Sequence, residues 1–263
     1  MAVFFCGILK DMNLGFLGTG KITLSIIHGI LNSKIKVNKI YISLRNQKIS
    51  RQLSKKFKKI IVLKDNQAII NKSNFVFLAV TPNVGNKILP NLKFKPKQTI
   101  ISLISTINLK KIQRYTKSKK VVRVIPLPFI NMRKGPIIVC PQNKMIRKFF
   151  NNLGTVIEVK NENLSRGFWS TSSFMASFYN LLKVTSDWLV SKGVKKKESE
   201  KYTKELFLAL IEDANNKKSI SLKQLVLESQ TPNGTNAYVL EELKKKKFYK
   251  LQQKVLNNIH KIF

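Results

Sequence analysis

The sequence predicts an α/β domain built on a parallel sheet, followed by an all-helical domain. Three observations predict it. A glycine-rich turn sits between an apolar strand-like run and a helix-like run; strand and helix patterns then alternate as far as residue 159; and the β signal stops after Asn161. The turn is Gly15-Phe-Leu-Gly-Thr-Gly20, and it opens onto Ile22, Ile26, Ile27 and Ile30, spaced as one face of a helix. A strand, a tight glycine turn and a helix in that order let the backbone approach a pyrophosphate and aim free N–H groups at it. The third glycine of the G-x-G-x-x-G pattern is Thr23 here. Gly18, Thr19, Gly20, Lys21 and Ile22 are therefore expected to hold a dinucleotide in a Rossmann-type domain.

The second strand, Lys39–Leu44, delivers Ser43, Arg45 and Asn46 to the place where the ribose of such a dinucleotide lies. An acid there binds a 2′-hydroxyl, whereas an Arg accommodates a 2′-phosphate. No Asp or Glu occurs from Met12 to Lys64, so the cofactor predicted is NADP(H). Further strands read as unbroken apolar runs, the mark of burial on both faces: Ile60–Leu63, Phe75–Val80, Ile100–Leu103, Val121–Ile125 and Ile137–Cys140. Helices are expected between them at Gln47–Lys58, Asn83–Leu89, Leu109–Tyr115 and Lys144–Leu153.

Beyond residue 160 the periodicity is helical, over Phe168–Val190, Lys197–Ala214, Leu222–Glu228 and Tyr238–Ile262. The first of these carries Phe174, Met175, Phe178, Leu181, Leu182, Trp188 and Leu189, apolar on more than one face, which calls for a central position or a partner subunit. The boundaries expected are an N-terminal extension over 1–11, a dinucleotide-binding domain over 12–160 and an all-helical dimerisation and substrate domain over 161–263.

Composition excludes several function classes. At 263 residues and 43% hydrophobic the chain can bury a full core. Its net charge of +36 comes from Lys scattered among Asn and Ile, only seven of the 49 basic residues being Arg. Specific nucleic-acid recognition favours Arg and aromatic platforms, so no such partner is expected. Of thirteen acids, Asp65 alone lies between residues 12 and 157, and eleven lie from Glu158 onward, which marks the domain change. Two distant cysteines suggest a reducing, cytoplasmic setting. His28 and His260 are too few and too isolated for a metal site, and no apolar run reaches membrane length.

Four segments stand in one order: Gly15–Gly20, then Phe77-Leu-Ala-Val-Thr-Pro82, then Arg123-Val-Ile-Pro126, then Thr231-Pro-Asn-Gly-Thr-Asn236. In that order and spacing, from about Met12 to Phe248, the chain resembles the pyrroline-5-carboxylate reductase family, which makes proline from its cyclic imine with NAD(P)H. The resemblance implies that Ala79, Val80, Thr81 and Pro82 lie beside the cofactor's ribose and nicotinamide, with Thr81 where the family has Lys. It also implies that Asn233, Gly234, Thr235 and Asn236 form the substrate-carboxylate turn, with N–H donors at Gly234 and Thr235 and with Asn236 toward the ring nitrogen. Departures cluster in the substrate half: Pro126-Leu-Pro-Phe129 lacks the family's Asn, the 104–107 segment replaces Ala-Ala-Gly-Ile, and the glycines before Ala176-Ser177-Phe178 are gone.

The motif segments contain no carboxylate pair, His or nucleophilic Cys, so hydrolysis and acyl transfer have no players. Reduction of an imine needs none, since positioning and exclusion of water suffice. The expected function is NADPH-dependent reduction of a small carboxylated cyclic imine by a homodimer or higher homo-oligomer, with no residue acting as catalytic acid or base. The alternatives are an NADP-dependent reductase or dehydrogenase of another small imino or hydroxy acid, and a non-catalytic NADP-binding protein.

Overall fold

Eight strands pair into one sheet in the order β3-β2-β1-β4-β5-β6-β7-β8. They are β1 (Met12–Leu17), β2 (Val37–Ser43), β3 (Ile60–Leu63), β4 (Phe75–Leu78), β5 (Thr99–Ser102), β6 (Val121–Ile125), β7 (Pro136–Cys140) and β8 (Thr155–Glu158). The computed structural model describes residues 12–104 and 106–262; the expected extension over 1–11 lies outside them. Crossover helices are α1 (Lys21–Leu31), α2 (Gln47–Lys56), α3 (Asn66–Lys72), α4 (Pro82–Ile88), α5 (Leu109–Thr116) and α6 (Lys144–Phe150).

Burial splits along each strand by the two-residue pleat. Phe16 and Phe77 belong to one buried cluster and stack at 4.3 Å, with Phe149 and Phe150 beside them. Their neighbours Leu17 and Leu78 point into a second cluster with Ile69, Ile104 and Ile112. Two apolar faces covered by helices explain why the central strands lack polar alternation.

One pairing departs from the parallel sheet expected: β6 and β7 run antiparallel, with Val124 opposite Val139. Only residues 126–135 connect them, containing a short 3-10 segment (Pro128–Met132). A parallel return needs a crossover of a dozen or more residues, usually a helix, and no helix pattern separates Ile125 from Ile137. Two short elements have too little apolar sequence to be read: β8, which pairs at the edge beside β7, and α3, whose N-terminus is capped by the Asp65 carboxylate on Gln67 and Ala68 N–H at 3.0 Å each.

The chain divides into two compact units between Trp169 and Ser170, within α7 (Glu162–Ser172). The second unit contains α8 (Met175–Ser191), α9 (Lys196–Asn216), α10 (Leu222–Glu228), α11 (Thr235–Lys245) and α12 (Phe248–His260). Two helices expected as continuous are broken. Phe168–Val190 turns at Ser173 and Phe174, whose N–H groups bond to Ser170 and Thr171 carbonyls. Tyr238–Ile262 breaks at Lys246 and Lys247, the latter at φ +57°, a left-handed residue within a run of lysines that carries no glycine to announce it.

The long apolar helix is α8, and it is not buried within its own unit. Leu181, Val184 and Trp188, on one face, are 42%, 56% and 59% exposed. The fully buried side chains of this unit are polar, Ser170, Ser186, Ser199 and Thr203, with Ser186 and Ser199 hydroxyls 2.7 Å apart.

Candidate functional site: a dinucleotide cleft at the carboxyl edge of the sheet

The glycine turn after β1 is built by close approach. Gly18 adopts φ +105°, and a Cβ there would lie 2.3 Å from the Ala79 carbonyl oxygen at the end of β4. Only glycine fits that backbone and that space. The turn is tied to β2 by Ser43: Gly18 N–H donates to Ser43 Oγ at 3.1 Å, and Thr19 Oγ1 donates to the Ser43 carbonyl at 2.6 Å. Thr23, standing where the third glycine belongs, is fully buried and its hydroxyl donates to the Gly18 carbonyl at 2.9 Å. The departure from the fingerprint is thus compensated by a hydrogen bond within the turn.

Gly20 caps α1 with extended backbone, no side-chain cap, and open space where a Cβ would be. The first N–H groups of α1 have no carbonyl one turn earlier, so they remain donors for an anion at the positive end of the helix. Together, the strained glycine at 18 and the open one at 20 are what a pyrophosphate requires of this turn. The residues present fit the cofactor.

A hollow of about 410 Å³ lies between the ends of β1, β2 and β4, where the strand order reverses, the position at which open α/β sheets bind ligands. Gly18, Ser43, Arg45 and Val80 line it. An adjoining hollow of about 450 Å³ shares Gly18, Arg45 and Val80 and adds Thr19, Gly20, Asn46, Ala79 and Thr81. Lys21, Ile22 and Pro82 line neither; they sit in the first turns of α1 and α4. Ser43 and Asn46 are engaged in holding the site, Ser43 on the glycine turn and Asn46 as cap of α2, its Oδ1 accepting from Ile49 N–H at 3.2 Å.

Sequence reasoning missed Lys64, which lines the first hollow with Arg45. It follows β3, and β3 is brought beside β2 by the parallel ladder, Leu44 N–H donating to the Leu63 carbonyl at 3.1 Å. The signal was the basic residue at the end of the third strand, legible only once the strand order is known. Asp65, the one acid of this region, caps α3 and does not line either hollow.

The Thr231–Asn236 turn precedes α11 as expected, with Asn233 left-handed at φ +60° and Gly234 as N-cap. Its donors are distributed differently from the expectation. Gly234 N–H closes the turn on the Thr231 carbonyl at 2.9 Å, and Asn236 Nδ2 donates to the Ser229 carbonyl at 3.0 Å. The orphan donors at the helix start are then the N–H groups of Thr235, Asn236 and Ala237. Arg123, the first residue of the third motif, is buried within β6. Among the described residues no cluster of three or more metal-ligating side chains occurs, and no helix is long and apolar enough to cross a membrane.

This arrangement defines a Rossmann-type dinucleotide-binding protein with a separate helical module. Residues 13–108 match the family model described as NADP oxidoreductase, coenzyme F420-dependent, and residues 166–262 match that of the pyrroline-5-carboxylate reductase dimerisation domain. Over its helical part the chain is thus similar to pyrroline-5-carboxylate reductases, the name that its curated relatives also carry. It is similar to the pyrroline-5-carboxylate reductase of Pisum sativum, 30% identical over 124 residues that make up 45% of this chain and 44% of the relative. That of Methanosarcina acetivorans is 22% identical over 202 residues, 73% of this chain and 74% of the relative. The match to the pea protein thus spans less than half of its length. Among solved structures, the 1-pyrroline-5-carboxylate reductase of Streptococcus pyogenes superposes with TM-score 0.82 at 19% identity, over 95% of this chain and 97% of that one. The pyrroline carboxylate reductase of Plasmodium falciparum, solved with NADP bound, gives 0.81 at 20% identity, over 96% and 97%. At such identities the likeness is one of fold.

Proposed function

We propose that this protein reduces 1-pyrroline-5-carboxylate to proline with NADPH, as a homodimer. The observation that carries the reading is the cleft: a glycine cradle at the start of α1 flanked by Arg45 and Lys64, with its one neighbouring acid spent on a helix cap. The activity named for the Pisum sativum and Methanosarcina acetivorans relatives and the NADP in the Plasmodium falciparum structure support it.

When bound, NADPH supplies the hydride and the protein supplies position. Backbone N–H groups at the start of α1 would hold the pyrophosphate, and Arg45 and Lys64 would neutralise the 2′-phosphate. Ala79, Val80 and Thr81 would wall the nicotinamide end; in the helical unit, the first N–H groups of α11, beside Gly234 and Thr235, would offer donors to a carboxylate. An iminium substrate is already electrophilic, so the rate comes from orientation and from exclusion of water. No side chain is asked to act as acid or base.

The deciding experiment is NADPH oxidation with a panel of cyclic imines, 1-pyrroline-5-carboxylate included. Turnover of that imine above the others is the expected result; no turnover of any imine by protein that binds NADPH would leave a non-catalytic binding protein. The cofactor preference is tested by Arg45→Ala and Lys64→Ala. Each removes one charge-assisted contact, of about 1.5–3 kcal/mol. NADPH affinity is therefore expected to fall roughly 10- to 100-fold per variant, with NADH affinity nearly unchanged. Equal loss for both cofactors would overturn the assignment.

At the carboxylate turn, a Cβ on Gly234 would lie 2.1 Å from Thr231 Oγ1. Gly234→Val is expected to force this turn open and raise the KM for the imine at least about tenfold, while NADPH binding stays close to wild type. An unchanged KM would remove the turn from the substrate site.

A further inference from the structure

The third motif, which begins at Arg123, has no part in the mechanism above, and its surroundings assign it one. Arg123 lies in β6, flanked by Ser102 of β5 and Cys140 of β7, and is 4% exposed. Its guanidinium reaches in two directions. Nη1 is 2.8 Å from Glu162 Oε1 at the start of α7, and Nη2 donates to the Ile107 carbonyl. Glu162 in turn accepts from the Leu109 N–H, with both carboxylate oxygens at 3.0 Å. The segment after β5 is thereby pinned on either side of Asn108, by the arginine at 107 and by the carboxylate at 109.

What the pinned segment touches is the wall of the cofactor cleft. Ile104 and Ile107 lie against Gly85 in the middle of α4, where a Cβ would stand 3.0 and 3.1 Å from their Cδ1 atoms. On the same short helix, Val84 and Ile88 line the cleft, as does Val80 just ahead of it. A further tie to α4 comes from α5, Tyr115 Oη donating to Asn86 Oδ1 at 3.1 Å.

We infer that Arg123 is a positioning residue that, held by Glu162, fixes residues 107–109 and through Ile107 the α4 wall of the cofactor cleft. Its guanidinium suits this because a planar fork satisfies a carboxylate and a carbonyl at once, where an ammonium offers a point charge. A buried ion pair is a poor device for stability alone, since well-packed apolar residues of similar volume do as well or better; its contribution here is geometric.

The functional consequence rests on the NADPH reading, so the test has one arm that does not. The double variant Arg123→Met/Glu162→Met removes both charges together and leaves no lone buried ion, and Arg123→Lys retains the pair with Glu162 but not the second bond. Backbone hydrogen exchange over residues 79–88 and the Kd for NADPH are measured alongside Tm. In the double variant, exchange over 79–88 is expected to accelerate and NADPH to weaken, each roughly 3- to 30-fold, at a Tm close to wild type. Arg123→Lys should recover part of both effects. Wild-type exchange over 79–88 in the folded double variant overturns the inference. Faster exchange in a wild-type background that does not bind NADPH would leave the positioning role standing and sink the proposed function.

Discussion

Gly18→Ala is expected to abolish NADPH binding, while Gly20→Ala, two residues away, is expected to leave the fold intact and weaken binding. At position 18 the new methyl would meet the Ala79 carbonyl oxygen at 2.3 Å, on a backbone at φ +105°. That neighbour cannot yield: Ala79 directly follows the central strand β4, and its N–H is bonded to the Leu17 carbonyl at 2.8 Å. The turn must therefore move, and with it the Gly18 N–H to Ser43 contact and the α1 N-terminus. Strain of this kind costs on the order of 1–3 kcal/mol, so Tm falls as well. At position 20 the backbone is already extended, at φ −92°, and a Cβ meets nothing within 4 Å. Alanine is a poorer N-cap than glycine, a loss of about 0.5–1 kcal/mol in stability. The methyl instead occupies the space through which a pyrophosphate approaches the helix N-terminus, and NADPH is expected to bind about 10- to 100-fold more weakly, the equivalent of one lost charge-assisted bond. Calorimetric titration with NADPH and thermal unfolding of both variants separate the two. Gly20→Ala that binds as well as wild type would show that the phosphates do not sit on this turn.

The second large effect concerns assembly. Every buried apolar side chain of the described residues precedes Lys160, so the helical unit has no apolar core of its own. On α9 the face formed by Tyr202, Leu206 and Leu210 is 60%, 38% and 57% exposed, in addition to the Leu181, Val184 and Trp188 face of α8. Apolar surface on this scale is the mark of a face built to be covered, and the match of residues 166–262 to a dimerisation domain supports the second copy proposed above as its cover. Burying a Val or Leu side chain contributes about 1.5–3 kcal/mol, and a charge in its place leaves an unpaired ion in the interface. Val184→Glu combined with Leu210→Glu is therefore expected to dissociate the dimer and melt α8 to α12 while the sheet domain survives. Light scattering and circular dichroism at micromolar concentration check this. A wild-type monomer with folded helices would refute it.

How much of this was legible in the chain differs by element. The strands were read closely where an apolar run marks them: Val121–Ile125 coincides with β6, buried throughout, and Ile60–Leu63 with the half-buried edge strand β3. The helix ends were read less well. The breaks at Ser173–Phe174 and Lys246–Lys247 carry neither glycine nor proline, and periodicity runs through them undisturbed. The cofactor cleft was half visible. Gly18, Gly20 and Arg45 follow from local pattern, whereas Lys64 enters only because β3 lies beside β2. Ser43, Asn46 and Asn236, expected as ligand contacts, also hold the backbone around them, and the bonds of Arg123 to Glu162 and Ile107 have no local signal in the sequence.

What the sequence determined by itself was everything set by burial period and backbone freedom. The alternation of strands and helices, the glycine turn after the first strand, the change to helices beyond residue 160 and the acid-free approach to the ribose are all of this kind. Each is local: an apolar residue recurs at two or 3.6 positions because of the face it must hide, and a glycine stands where no other backbone can turn. Tertiary structure alone decided the reversal of β7, the meeting of Lys64 with Arg45, and the pinning of residues 107–109 by Arg123 and Glu162. The physical reason is that a polar side chain has several acceptable partners in any sequence, and which one it takes depends on what the fold brings within 3 Å of it.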